Sequence, residues 1–268
     1  MLREKLDLKG KVALVTGGGT GLGRAMALAL AQVGADIALA ARRPQPLEEA
    51  ATEIRSLGRK AMVVLADITD SAQVQGMVAA VIQELGRVDI LINNAGIVTG
   101  WQPKPIWDIT DQEWQLGLDT NLSGAFYCSR AVSRHMAERR SGVIINVSSG
   151  FGIRAMRDNY PYCCAKAGVI LLTKTLALSL NHYNIRVNCI APGFHATIPQ
   201  AQEHSYGGRF IPLGRIGDPR EIAGLALFLA SDASGYITGE VFIADGGGLA
   251  GGYAPTNFAP ATAQKKNQ

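Results

Sequence analysis

The chain has 268 residues, 47% hydrophobic and 18% charged, a balance that permits a large buried interior and excludes a disordered polymer. Its net charge is +4, from 26 basic and 22 acidic residues, and the basic residues are scattered apart from pairs such as Arg42-Arg43 and Arg139-Arg140. So thin a footprint predicts no nucleic-acid partner.

The opening MLREKLDLKG has no apolar stretch like a signal-peptide core, and no run approaches the roughly 18 apolar residues of a membrane span. The chain is therefore expected to be cytoplasmic, with no membrane partner. Its four cysteines, Cys128, Cys163, Cys164 and Cys189, form no C-x-x-C pair, and no histidine stands at metal-ligand spacing. They are expected as small apolar core residues, with no metal site and no disulfide framework.

From Lys11 to about residue 190, short apolar runs alternate with longer helical patterns. The runs VALV, DIALA, AMVVL, ILI, VIINV and IRVNCI are apolar almost throughout, as strands covered by helices on both faces are. Between them, GRAMALALAQVG, LEEAATEIRSLG and SAQVQGMVAAVIQELG read as helices. The alternation predicts βαβ units and a parallel sheet: one α/β domain over residues 1–250, with a flexible tail over 251–268.

The first strand runs straight into Gly17, Gly18, Gly19, Thr20, Gly21, Leu22 and Gly23, and a helix is expected from near Arg24. Glycines there let the backbone approach a pyrophosphate, whose charge suits the helix N-terminus. The second strand is expected to end at Ala40-Ala41, where NAD-specific proteins commonly carry an acid for the adenosine ribose. Here Arg42 and Arg43 follow instead, which suits the 2′-phosphate of NADP(H). The alternative is a solvated helix entry, with NAD(H) as cofactor.

Asp67, followed by Ile68, closes the third strand, and its carboxylate could accept from an adenine amino group. Asn93-Asn94-Ala95-Gly96 closes the fourth, where an Asn pair can tie strand ends and small residues leave room for a cofactor.

Further along stand Asn121 in a helical stretch, Ser148-Ser149 after VIINV, and Tyr162 with Lys166 in one long helix. A spacing of four puts the tyrosine and lysine on one helix face. An ammonium near a phenol is expected to lower its pKa and make Tyr162 a usable acid or base. Ser149 could stabilise charge on the same substrate oxygen. Asn121 could be a helix N-cap, or could hold a water in a proton relay. After Pro192, the stretch from Gly193 to about Pro219 is rich in Gly, Pro and His and is a candidate substrate lid. A helix at EIAGLALFLAS and a strand at GEVFIADGG complete the domain.

Taken together, TGGGTGLG, NNAG, the serine after a strand, Tyr-x-x-x-Lys and Pro192-Gly193 resemble the short-chain dehydrogenases/reductases, over roughly Leu8 to Gly247. The resemblance implies a single-domain, Rossmann-like, doubly wound sheet of seven parallel strands flanked by helices. It implies a catalytic tetrad of Asn121, Ser149, Tyr162 and Lys166, with Lys166 also reaching the nicotinamide ribose. It implies nicotinamide contacts from Pro192, Gly193 and Thr197, chemistry without a metal, a small carbonyl or alcohol substrate, and a homotetramer.

Within the family the chain is similar to 3-oxoacyl-[acyl-carrier-protein] reductases and to gluconate 5-dehydrogenases. Arg140 falls where the first group carries a carrier-docking arginine, but Tyr183 occupies the second such position. Trp101, Phe194, His195 and Ile198 are expected near the substrate, and Arg154 and Arg157 are candidates for a substrate anion or for a solvated loop. A catalytically silent, dinucleotide-sensing protein is the competing reading. The intact Ser-Tyr-Lys set argues against it.

Overall fold

The computed structural model describes residues 2–97, 104–197 and 210–251. Strands β1 (Val12–Thr16), β2 (Asp36–Ala41), β3 (Ala61–Leu65), β4 (Ile90–Asn93), β5 (Gly142–Val147), β6 (Ile185–Pro192) and β7 (Val241–Ala244) form one sheet. Its order is β3-β2-β1-β4-β5-β6-β7, and every pairing is parallel. This is the Rossmann-like, doubly wound α/β arrangement.

The helices are α1 (Leu2–Lys5), α2 (Gly21–Gln32), α3 (Pro44–Ser56), α4 (Ser71–Leu85), α5 (Asp111–Leu118), α6 (Gly124–Glu138), α7 (Tyr160–Leu180), α8 (Pro219–Ala230) and α9 (Gly248–Gly251). Alternate residues of each strand face opposite layers. Ala13 and Val15 of β1 pack with α2, α3 and α8, while Val12 and Leu14 pack with α4, α6 and α7. Because both faces are covered, all five residues of β1 are buried. Each such Leu, Ile or Val contributes about 1.5–3 kcal/mol by leaving water.

Three details differ from the expectation. Helix α2 begins at Gly21 rather than near Arg24, because glycine's poor helix propensity matters little in a first turn whose N–H groups need no intrahelical partner. Asn121 sits in a π-helical turn, Asp119–Ser123, between α5 and α6. Cysteines 128, 163 and 189 are buried as expected, but Cys164 is exposed on α7. The expected tail, apart from Gly251, lies outside the described residues, as do Trp101 and Ile198.

Helix α7 and its continuation to Tyr183 are long and apolar enough to cross a membrane, with a mean hydropathy of 1.5. Yet α7 packs on β6 and carries the buried Lys166.

A polar layer lies beneath the carboxyl edge of the sheet. Asn93 Nδ2 donates to Asn146 Oδ1 at 2.8 Å and to Ser129 Oγ at 2.9 Å, and Asn146 Nδ2 donates to Thr173 Oγ1 at 2.9 Å. These bonds join β4, β5, α6 and α7 where no water reaches, and there an orphaned partner costs more than a lost surface bond. Replacing Asn146 by Ala is therefore expected to lower stability by about 2–3 kcal/mol in urea unfolding with an unchanged m value. A loss below about 0.5 kcal/mol, the range of neutral surface changes, would refute the tie.

Candidate active site

The strand order reverses between β1 and β4: α2 leaves β1 for one layer, and α6 follows β4 into the other. A cleft of about 720 Å³ runs along the carboxyl edge across this point. Strand ends at such a point diverge and leave a crevice for ligands.

The crevice is held by one knot of bonds. Thr16 Oγ1 donates to Ile92 O at 3.3 Å and accepts from the N–H groups of Asn94 and Ala95, each at 3.1 Å. Asn94 Nδ2 donates to Thr16 O at 3.0 Å and to Gly17 O at 3.3 Å. The NNAG turn and the glycine loop are thus one unit. Gly17 has φ +66, and a Cβ there would stand 2.8 Å from Asn94 Nδ2, so only glycine fits both the backbone and the space.

Gly17, Gly19, Thr20, Gly21 and Leu22 line the cleft, as do Arg42, Arg43, Asp67, Ile68, Asn94, Ala95 and Gly96. Gly23 does not. Its role is packing: a Cβ there would meet Gly17 O at 2.3 Å and Asn94 Nδ2 at 2.5 Å. Thr20, at the N-cap of α2, makes no side-chain cap bond, so the first N–H groups of that helix remain for an anion. A cradle that no Cβ could enter, beside an uncapped helix start, fits the pyrophosphate of a dinucleotide.

At the adenosine end Asp67 Oδ1 accepts from the backbone N and the hydroxyl of Thr69, at 3.0 and 2.8 Å. Those bonds, foremost the backbone one, and the Arg42 guanidinium hold its carboxyl below the usual range. Arg42 Nη1 lies 3.7 Å from Asp67 Oδ2, with 67% of its side chain exposed. Arg43 precedes Pro44, the first residue of α3, so the positive end of a second helix dipole adds to the two guanidiniums.

At the other end Asn121, Ser149, Tyr162, Lys166, Pro192, Gly193 and Thr197 line the cleft. Ser149 caps the 3-10 turn Gly150–Gly152 by accepting from Phe151 N at 3.1 Å, and its hydroxyl pulls the Tyr162 phenol pKa downward. Lys166 is 4% exposed, donates to Val147 O at 2.9 Å, and lies 5.7 Å from the centre of the Tyr162 ring. The expected lowering of the Tyr162 pKa is not found. Burial raises it and outweighs the opposing pull of Ser149. Burial also brings the Lys166 amine down to about 8. Each group has lost water that the other does not replace.

Asn121 differs from one of its two expectations. It caps no helix, and its amide donates to Ile97 O at 2.9 Å and Gly117 O at 3.0 Å while its oxygen accepts from Ile97 N at 3.1 Å.

The candidate lid is pinned at both described ends, by Gly217 N donating to Phe194 O at 3.0 Å and Ala196 N to Gly217 O at 2.9 Å. Sequence reasoning missed Leu47, Phe151 and Met156, which also line the cleft. Leu47 is indistinguishable by pattern from a core residue of α3. Phe151 and Met156 sit in a segment with no periodicity to read.

The sequence profile described as short chain dehydrogenase matches residues 11–205. The chain belongs to the short-chain dehydrogenase family. It is 39% identical over 247 residues to the 3-oxoacyl-[acyl-carrier-protein] reductase FabG of Thermotoga maritima, covering 90% of this chain and 99% of the relative. It is also 39% identical over 246 residues to a 3alpha-hydroxysteroid dehydrogenase of Mediterraneibacter gnavus, covering 89% of this chain and 97% of that protein. Among solved structures, a short-chain type dehydrogenase/reductase from Mycobacterium marinum superposes with a TM-score of 0.86 at 40% identity, covering 92% of this chain and 98% of that one. Like its relatives, this short-chain dehydrogenase is an NAD(P)-dependent oxidoreductase that acts on CH-OH and keto groups.

The Lys166 shift carries a stability signature. Its folded value of about 8 lies below the ordinary 10.5, so between these values the unfolded chain binds more protons and wild-type stability rises with pH. The Tm of Lys166→Met minus that of wild type, measured without ligand, is expected to be largest at pH 7 and to shrink as pH climbs from 8 toward 10. A gap independent of pH would mean the amine is not desolvated.

Proposed function

We propose that this chain interconverts a ketone and a secondary alcohol with NADP(H), and that the ketone is of the 3-oxoacyl type. One convergence carries the reading: Ser149, Tyr162 and Lys166 line the same cleft as the glycine loop and the Arg42-Arg43 pair.

Gly17, Gly19, Gly21 and the α2 N-terminus would hold the pyrophosphate, with Thr20 and Leu22 beside it. Asp67 and Ile68 would bound the adenine, and Arg42 and Arg43 would take the 2′-phosphate. Ala95 and Gly96 would leave room for the riboses, and Pro192, Gly193 and Thr197 would meet the carboxamide. When bound, the nicotinamide supplies a hydride to the carbonyl carbon or accepts one from it.

Tyr162, which burial keeps protonated at neutral pH, donates its proton to the carbonyl oxygen and takes one back in the reverse direction. Ser149 donates to the same oxygen and stabilises the charge developing there. Lys166 steadies the phenolate left behind and would meet the ribose hydroxyls. Asn121 fixes the turn at Ile97 that borders the site.

The similarity to FabG at 39% identity supports the 3-oxoacyl type. Carrier docking is less well supported, since Arg140 is engaged with His182 O at 3.1 Å and Tyr183 stands at the second position. Four free cysteines suit a reducing cytoplasm. Exposed Leu171 and Leu178 on α7, with Phe126 on α6, suit association of copies, and a homotetramer is the state we propose.

The test is the initial rate of NADPH oxidation with ethyl acetoacetate, with NADH in parallel. Tyr162→Phe is expected to lower kcat by about 10²–10⁴-fold while NADPH affinity stays near wild type; substantial retained turnover would remove Tyr162 from the chemistry. Arg42→Ala is expected to weaken NADPH binding about tenfold with little change for NADH. Equal losses for both dinucleotides would reverse the cofactor assignment.

A further inference from the structure

The segment between Ser149 and Tyr162 is built rather than loose. Cys163, the residue after the tyrosine, accepts from Met156 N at 3.3 Å and donates to Met156 O at 3.8 Å. Two residues further on, Asp158 takes φ 58, a left-handed conformation uncommon outside glycine. Its carboxylate accepts from Tyr160 Oη at 3.2 Å. Between these anchors Arg157 lines the cleft beside Met156, with 94% of its side chain exposed. Its Nε faces Asp158 at 3.3 Å; among the described residues its terminal NH2 groups have no partner.

The surroundings select what those groups can meet. Phe151 and Phe194, which also line the cleft, pack edge to face with centroids 5.7 Å apart, so much of this end is apolar. Among the described residues, the only acidic side chain lining the cleft is Asp67, at the adenosine end. The carboxylate nearest this guanidinium, that of Asp158, faces its Nε, which leaves the terminal NH2 groups at an apolar mouth to attract and orient an anion.

We propose that Arg157 sets substrate specificity by receiving an anionic group, carboxylate or phosphate, borne on the apolar body of the ketone; this rests on the ketone-reductase reading above. Arg157 touches the substrate away from the reacting carbon. It therefore acts on KM and leaves kcat alone.

The test compares 4-oxocyclohexanecarboxylate with its methyl ester, two ketones that differ in charge at a distance from the carbonyl. Wild type is expected to favour the acid. In Arg157→Gln the KM for the acid rises about five- to tenfold, the worth of an exposed charge-assisted contact, while kcat and all constants for the ester stay unchanged. Arg157→Glu reverses the preference. Equal effects on acid and ester, or no effect on either, overturn the proposal. Calorimetric titration of the NADPH complex with cyclohexanecarboxylate, cyclohexyl phosphate and cyclohexanecarboxamide reads the same contact without turnover. Tighter binding of either anion that is lost in Arg157→Gln supports the proposal, and the tighter anion identifies the group. Identical affinities in both proteins overturn it. If neither ketone is reduced, the ketone-reductase reading fails for them, while the titration still decides the role of Arg157.

Discussion

The bonds between Thr16 and the Asn94-Ala95 backbone are the constraint on which the site depends. Parallel strands β1 and β4 are neighbours, but the chain leaves them toward opposite layers, so their ends are pulled apart just where a ligand is to sit. One hydroxyl, donating to Ile92 and accepting from two N–H groups, bridges that gap. The Asn94 amide then fastens the glycine loop from the other side. A loop held so needs no side chains of its own, and the uncapped start of α2 remains beside the cleft. The conformational cost of Gly17 is met by these bonds.

Below that knot the protein buries polarity that a stability optimum would avoid. Asn146, Thr173 and Ser129 are all fully buried and Lys166 is 4% exposed. An amide without partners in such a place would cost several kcal/mol, and most polar atoms of the layer satisfy one another across four elements, although Asn93 Oδ1 accepts no bond among the described residues. Lys166 is under-served as well: a single carbonyl and a ring do not replace its water. The depressed amine and the raised phenol are two consequences of that one dry environment. A phenol raised in this way holds its proton more tightly, so in the mechanism proposed above the proton leaves only as negative charge develops on the substrate oxygen.

Much of this was legible in the sequence because strands and the cofactor loop obey strong local rules. Short apolar runs that alternate with helical patterns read as strands covered on both faces, and glycines between a strand and a helix have few other uses. What could not be read depended on surroundings. The Tyr162 pKa was expected to fall because Lys166 is four residues away; it rises because burial acts on both groups, and burial is a property of the packed molecule. Gly23 belongs to the glycine motif yet serves packing, a distinction made by Gly17 O and not by spacing. Asn121 was expected to cap a helix or hold a water, and only the packed chain shows the π turn that carries its amide onto Ile97 and Gly117. The substrate end was the least legible, since Phe151, Met156 and Arg157 lie in a segment whose shape comes from a thiol and a left-handed aspartate.

The same reasoning weighs the pair at the adenosine end. Arg42 and Asp67 stand 3.7 Å apart with the arginine two-thirds exposed, and a pair of that kind is worth at most about 1 kcal/mol. A phosphate offers the guanidinium shorter, bidentate, charge-assisted bonds worth about 1.5–3 kcal/mol each. Asp67 is therefore no obstacle to a 2′-phosphate. Its carboxylate stays satisfied by Thr69 when Arg42 turns away, so the exchange strands no charge. An acid in place of Arg42 would instead repel the same phosphate. In the proposed reading, the sign of the side chain that follows β2 is what favours the phosphorylated dinucleotide over the plain one.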